Sequence, residues 1–182
     1  MPSNDLARPR PRPRIRHAVA AFLTGLTTML AAAVPPTPQP ADLFDFWLGD
    51  WQVTWKNPDG TTGHARNHVH RILDGEVIEE QFEAEPGPPP VLHGRSLSVL
   101  QKATGTWRQA WADNEGSFFS FTAAIDGDKR LFATPLVSDG QQVKGQRMVF
   151  HDIARDRFTW DWEGTTDGGK TWTLLWQLQY KR

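Results

Sequence analysis

A chain of 182 residues is the size of one domain, and without a single cysteine it excludes disulfides, zinc thiolate centres, thioether-attached haem and thiol nucleophiles. Its 20 Lys and Arg nearly balance its 21 Asp and Glu, but unevenly: residues 1–33 hold five Arg and one Asp, which leaves 15 basic against 20 acidic residues and a net charge of −5 for the remainder. That remainder suits neither nucleic acid, whose affinity comes from neutralised phosphates, nor a membrane surface, for which it lacks a basic amphipathic helix.

The first 33 residues read as a secretory signal. Arg8, Arg10, Arg12, Arg14 and Arg16 are followed by an apolar or small run from Ala18 to Leu30 and by Ala31-Ala32-Ala33. Basic, apolar and small segments in that order mark export, and the apolar run is shorter than the roughly 20 residues a membrane span needs. No Arg-Arg pair points to the twin-arginine route. The expected location is the periplasm or the medium, with no stable membrane insertion after the signal is removed. Residues 34–41 then read as a stiff proline-rich spacer without core residues.

From residue 42 to 182 the chain reads as one all-β domain. Asp42 is placed to cap a short turn in which Leu43, Phe46 and Trp47 share a face, with Gly49 ending it. Period-two segments follow, broken by turn residues. Strands are expected at 51–55, 64–73, 77–83, 94–101, 106–112, 118–124, 130–133, 142–151, 157–162 and 171–180. Mostly short turns between them favour a meander closed into an antiparallel, lipocalin-like up-and-down barrel of about 8–10 strands with a short N-terminal helical turn. Gly49-x-Trp51 suits the entry to such a barrel, with Lys181 or Arg182 available to cover the indole.

The chemistry-bearing residues are sparse. His64, His68 and His70 share one face of a strand with Arg66. That face serves either as a solvent or lumen surface or as a ligand or acid–base set. Trp107-x-Gln109-x-Trp111-x-Asp113, Phe158-x-Trp160-x-Trp162 and Trp172-x-Leu174-x-Trp176-x-Leu178-x-Tyr180 are three aromatic faces. Turned inward they build either a filled core or an apolar cavity with few polar anchors. Gln109 favours the cavity, because a buried amide needs partners. Glu79 and Glu80 fall on opposite faces, and one of them could pair with Arg147. Thr165-Thr166-Asp167-Gly168-Gly169-Lys170-Thr171-Trp172 fits the Asp-box pattern, whose content here is a well-made turn. No nucleophile elbow, phosphate loop, dinucleotide fingerprint or His-Glu-x-x-His is present.

Phe44-Asp45-Phe46-Trp47-Leu48-Gly49-Asp50-Trp51, Leu73-Asp74-Gly75-x-Val77-Ile78-Glu79-Glu80, the Trp107–Asp113 face and Asp167–Trp172, in that order, resemble a family of bacterial proteins known as a domain of unknown function with a lipocalin-like (calycin) barrel. The resemblance spans roughly residues 42–182 and implies the fold but no catalytic mechanism. A looser similarity is to nitrobindin-type barrels, which hold haem through a histidine near the C-terminal end. Here the last histidine is His151.

The resulting expectation is an exported barrel that binds a small, largely apolar molecule. Trp111, Trp160 and Trp162 would line the cavity, and Gln109 and His70 would orient the ligand's polar end. No metal or cofactor is expected. The alternative is a small-molecule cyclase, isomerase or hydrolase in which His70, with Glu80 or Asp113, moves a proton and Arg147 stabilises negative charge.

Overall fold

Alternation of side chains decides the architecture, because every strand has one face of large apolar residues that must leave water. In the computed structural model, which describes residues 38–87 and 91–182, eleven strands form: β1 (Gly49–Lys56), β2 (Thr62–Ile72), β3 (Val77–Ala84), β4 (His93–Gln101), β5 (Thr106–Asp113), β6 (Phe118–Asp126), β7 (Lys129–Ala133), β8 (Val137–Ser138), β9 (Val143–His151), β10 (Arg157–Thr165) and β11 (Thr173–Lys181). The expected secretory signal, the first part of the expected spacer and the prolines at 88–90 lie outside the described residues.

All pairings between strands are antiparallel. Neighbours follow chain order from β1 to β7, then β9, β10 and β11, and β11 returns to β1 through Val53↔Tyr180. The result is the expected up-and-down barrel, closed by ten strands. The two-residue β8, which the sequence did not reveal, adds only to the start of β9. Ring closure leaves none of the ten with a free edge. Ten strands also enclose more room than the eight that side chains can just fill.

One end is plugged. A 3-10 turn at Asp45–Trp47 drives Phe44 and Trp47 inward, three residues apart as the tight helix requires. Phe44 is fully buried, stacked on Phe132 at 4.4 Å and edge-on to Trp107 at 5.6 Å. Phe46, expected to share the buried face, packs partly exposed against Phe158. Asp42 makes no side-chain cap. Its carbonyl instead accepts the Asp45 amide at 3.0 Å. Gly49 begins β1 at φ 126°, with the Arg182 guanidinium 3.4 Å from where a Cβ would stand. Arg182 covers the Trp51 ring at 4.2 Å and donates to the Leu48 carbonyl at 2.6 Å, as expected of a cation from the last strand.

The end of the expected spacer is held by the barrel. Gln39 Oε1 accepts the Trp107 amide at 2.8 Å, Gln39 Nε2 donates to the Ala123 carbonyl at 2.9 Å, and the Trp107 indole donates to the Pro40 carbonyl at 2.9 Å. These bonds tie residues 39–40 to β5 and β6. No helix among the described residues is long and apolar enough to cross a membrane.

Candidate functional site

The plug fills one half of the barrel, and the other half holds a cavity of about 350 Å³. Trp111 on β5, Phe119 and Phe121 on β6, Trp160 and Trp162 on β10 and Trp176 on β11 form its aromatic wall. Trp160 and Trp162 lie parallel within 3°, 6.1 Å apart, and the Trp176 ring stands edge-on to Trp160 at the same distance. The Trp111 indole rests on β4 where Gly94 leaves room: a Cβ there would meet it at 2.0 Å. Trp111 Nε1 is anchored to Asp113 Oδ2 at 2.9 Å.

Deep in this aromatic chamber stands one carboxyl, Glu80. It alternates with Ile78 and Phe82 on the inner face of β3 and is 6% exposed. Asn67 Nδ2 donates to its Oε1 and Ser96 Oγ to its Oε2, each at 2.7 Å. Asn67 Nδ2 also reaches the Tyr180 hydroxyl at 3.2 Å. Burial pushes the Glu80 pKa from 4.5 up to about 7, against the pull of Ser96, Asn67 and the charge of Arg95. Tyr180, buried beside it, is raised well above its ordinary value, first by burial and then by the Glu80 charge.

Further buried polar side chains lie on β4 and β5. Gln109 is 3% exposed and donates through Nε2 to Ser98 Oγ at 2.9 Å. Gln109 Oε1 and Asn67 Oδ1 are buried without a hydrogen-bond partner among the described residues. Such atoms cost about 1–3 kcal/mol each unless water or a ligand meets them. At the mouth, Asp113 is held below the ordinary carboxylate range, although burial opposes this, by hydrogen bonds from Trp111, Ser117 and Glu115.

Of the residues expected at the site, Trp111, Trp160 and Trp162 line the cavity, whereas Gln109 is buried on β5 but is not among the residues that line it. His70 does not join them. On β2 the buried residues are Ala65, Asn67 and Val69, so His64, Arg66, His68 and His70 lie on the outer face. There His70 Nε2 pairs with Glu79 Oε2 at 3.2 Å and its ring stacks on His68 at 4.7 Å. Arg147 is also outside. Its guanidinium lies 2.5 Å from Glu163 and covers the Trp172 ring at 4.2 Å. The ion pair expected between Arg147 and Glu79 or Glu80 is therefore absent: Met148 and Phe150 take the inner face of β9 and leave Arg147 and Val149 to the outer one. Of the proposed catalytic trio, only Glu80 faces the cavity.

Asn67, Ser96 and Tyr180 are the site residues that sequence reasoning passed over. A signal for Asn67 existed, since putting the histidines on one face of β2 puts Ala65, Asn67 and Val69 on the other. The Asp-box segment is a turn, as read: Asp167 Oδ1 accepts the amides of Lys170 and Thr171 at 3.0 Å, and the hydroxyl of Thr171 holds the carboxyl well below its ordinary pKa. His151 faces outward between Asp152 and Asp161. Among the described residues no group of three or more His, Asp or Glu is placed to hold a metal ion.

Two larger depressions, of about 770 and 820 Å³, lie by the rim near Leu175 and along the outer face of β1 to β3. Neither contains a buried ionisable group.

No family model matches the chain, and no curated protein matches it significantly.

Proposed function

We propose that this protein is an exported barrel that binds one small, largely apolar molecule in the chamber walled by Trp111, Trp160, Trp162 and Trp176. The observation that carries the reading is the combination of an aromatic cavity of about 350 Å³ with a single buried carboxyl at its inner end. The volume is at the lower end of small-molecule sites, whose usual make-up is apolar walls with a few polar anchors. The basic-then-apolar N-terminal segment supports export to the periplasm or the medium. The order of the four sequence motifs supports kinship with the lipocalin-like bacterial family.

The test is titration of the purified protein with apolar aromatic probes, read by tryptophan fluorescence, beside native mass spectrometry of protein from its own host. Saturable quenching or a retained small molecule is the expected result. Unchanged fluorescence at every concentration, together with a bare mass, would remove the binding reading.

A second reading, a proton-transfer enzyme working inside the barrel, draws on one observation. Glu80, with its pKa raised to about 7, has the value a general acid or base needs at neutral pH. In that reading Glu80 acts without His70 or Arg147. Turnover of a bound compound that stops in Glu80→Gln, while the compound still binds, would favour the enzyme over the carrier.

A further inference from the structure

We infer that the occupant of the cavity is an organic cation, an amine or alkylammonium compound whose charged end lies against the Glu80 carboxylate while its apolar part packs among the indoles. This rests on the ligand-binding reading above and names the class of ligand.

The charge pattern of the chamber points there. Three acidic residues line it, Glu80 within and Asp113 and Glu115 near the mouth, and among the described residues no Lys, Arg or His does. A neutral apolar ligand has no use for a carboxylate at the inner end of its site. An anion would meet three like charges. Glu80 forms no ion pair with any described residue, although burying a charged group without a partner is expensive. Its two oxygens each accept one hydrogen bond from the protein, from Asn67 and from Ser96. A carboxylate oxygen has room for a second. The missing donor is an ammonium group.

The walls agree. Indole faces attract cations more strongly than the other aromatic rings do, most of all when water is excluded. Trp160 and Trp162 present parallel faces and Trp111 stands on the far side of the same chamber. Burial holds the Glu80 carboxyl partly protonated at neutral pH. A cation in contact favours the ionised form and offsets that penalty.

The experiment uses three molecules of one shape and different charge: 3-phenylpropylammonium, 3-phenylpropanol and 3-phenylpropanoate. Each is titrated into the full chain at pH 8.5 and read by tryptophan fluorescence and calorimetry. The ammonium compound should bind about tenfold or more tightly than the alcohol, and the carboxylate least of all. Glu80→Gln should cut the affinity for the ammonium compound about tenfold and erase its advantage over the alcohol. Trp162→Leu, which leaves Glu80 in place, should weaken the ammonium compound more than the alcohol. If the alcohol binds as well as the ammonium compound, or the carboxylate binds best, the cation inference falls and the binding barrel stands. If none of the three nor any apolar probe binds, both fall.

Discussion

Asn67 gives Glu80 a hydrogen bond at 2.7 Å through its Nδ2 while its own Oδ1, equally buried, has no partner. The pair is therefore asymmetric, with a donor committed to the carboxylate and an acceptor held in reserve. Glutamine at position 80 can use that reserve, because a rotated Asn67 amide accepts from the new Nε2 and the Ser96 hydroxyl serves either role.

The first prediction concerns stability. The Glu80 pKa rises from about 4.5 in the unfolded chain to about 7 in the fold. Between those values the folded state binds more protons than the unfolded one, so stability is fully present below pH 4.5 and is lost as pH rises through 7. A shift of that size corresponds to roughly 3 kcal/mol. Thermal denaturation of ligand-free protein should show the Tm falling from pH 4.5 to 7.5, and Glu80→Gln should flatten the profile and raise the Tm at pH 7.5. Parallel profiles for the two proteins would show that Glu80 is not the titrating group.

Affinity for the ammonium probe should follow the same ionisation with the opposite sign. Below pH 7 the carboxyl is protonated and the cation must displace a proton, so binding weakens up to about tenfold per pH unit. Among the groups around it, Tyr180 is pushed upward and Asp113 is held low, so neither titrates in this range. Asn67 and Ser96 do not ionise. The other lining carboxyl, Glu115, is at the mouth, and the histidines of β2 face the other side of the sheet. Calorimetry between pH 5.5 and 8.5 checks this, and the dependence should vanish in Glu80→Gln.

Gly94→Ala should harm the cavity from behind. The added methyl would lie 2.0 Å from the Trp111 ring, so the indole must shift into the ligand's space. The expected result is a loss of about 1–3 kcal/mol in stability and a fall of about tenfold or more in probe affinity, read by denaturant titration and fluorescence.

His70→Ala and Arg147→Ala should leave probe affinity within about twofold of the unchanged protein, since both side chains lie on the outer face and surface changes are worth about 0.5 kcal/mol or less. Probe titration of each variant decides it. A large loss in either would place the ligand outside the barrel.

Phe44→Ala should cost about 3–5 kcal/mol of stability, as expected for a fully buried ring. The substitution empties the plug between Phe132 and Trp107, far from Glu80. Denaturant titration checks it, and affinity per folded molecule should persist.

The barrel was legible because its strands advertise themselves. All ten expected strands occur, and their ends differ by up to three residues, most at β10, which continues past Trp162 to Thr165. Parity along a strand also carried the indoles, since residues two apart share a face: Trp160 with Trp162, and Gln109 with Trp111. The errors have two sources, one within a strand and one between strands. Placing His70 with the indoles ignored what its own strand says, because four charged or polar residues at even positions leave Ala65, Asn67 and Val69 for the core. Arg147 could not be placed from its strand alone. Its partner Glu163 is set by the register of β9 on β10, and β10 carries a bulge against β11 beside that residue. Gln39 was illegible for a different reason: a side chain in a proline-rich stretch shows no period, and its bonds to β5 and β6 depend on where the chain ends up.

The seam between β1 and β11 brings together the earliest and the latest strands of the ring. During synthesis, β1 can gain β2 at once, but its other edge stays open until the C-terminal residues arrive. Until then the indoles of the cavity wall have no sealed interior to enter, and an unpaired edge invites association with another chain. Most of the ring can assemble hairpin by hairpin, yet closure waits for a contact between residues far apart in the chain, the kind that slows folding. The barrel therefore becomes a container only at the last step of its biogenesis, and loss of the final strand would expose the edges of β1 and β10 at once.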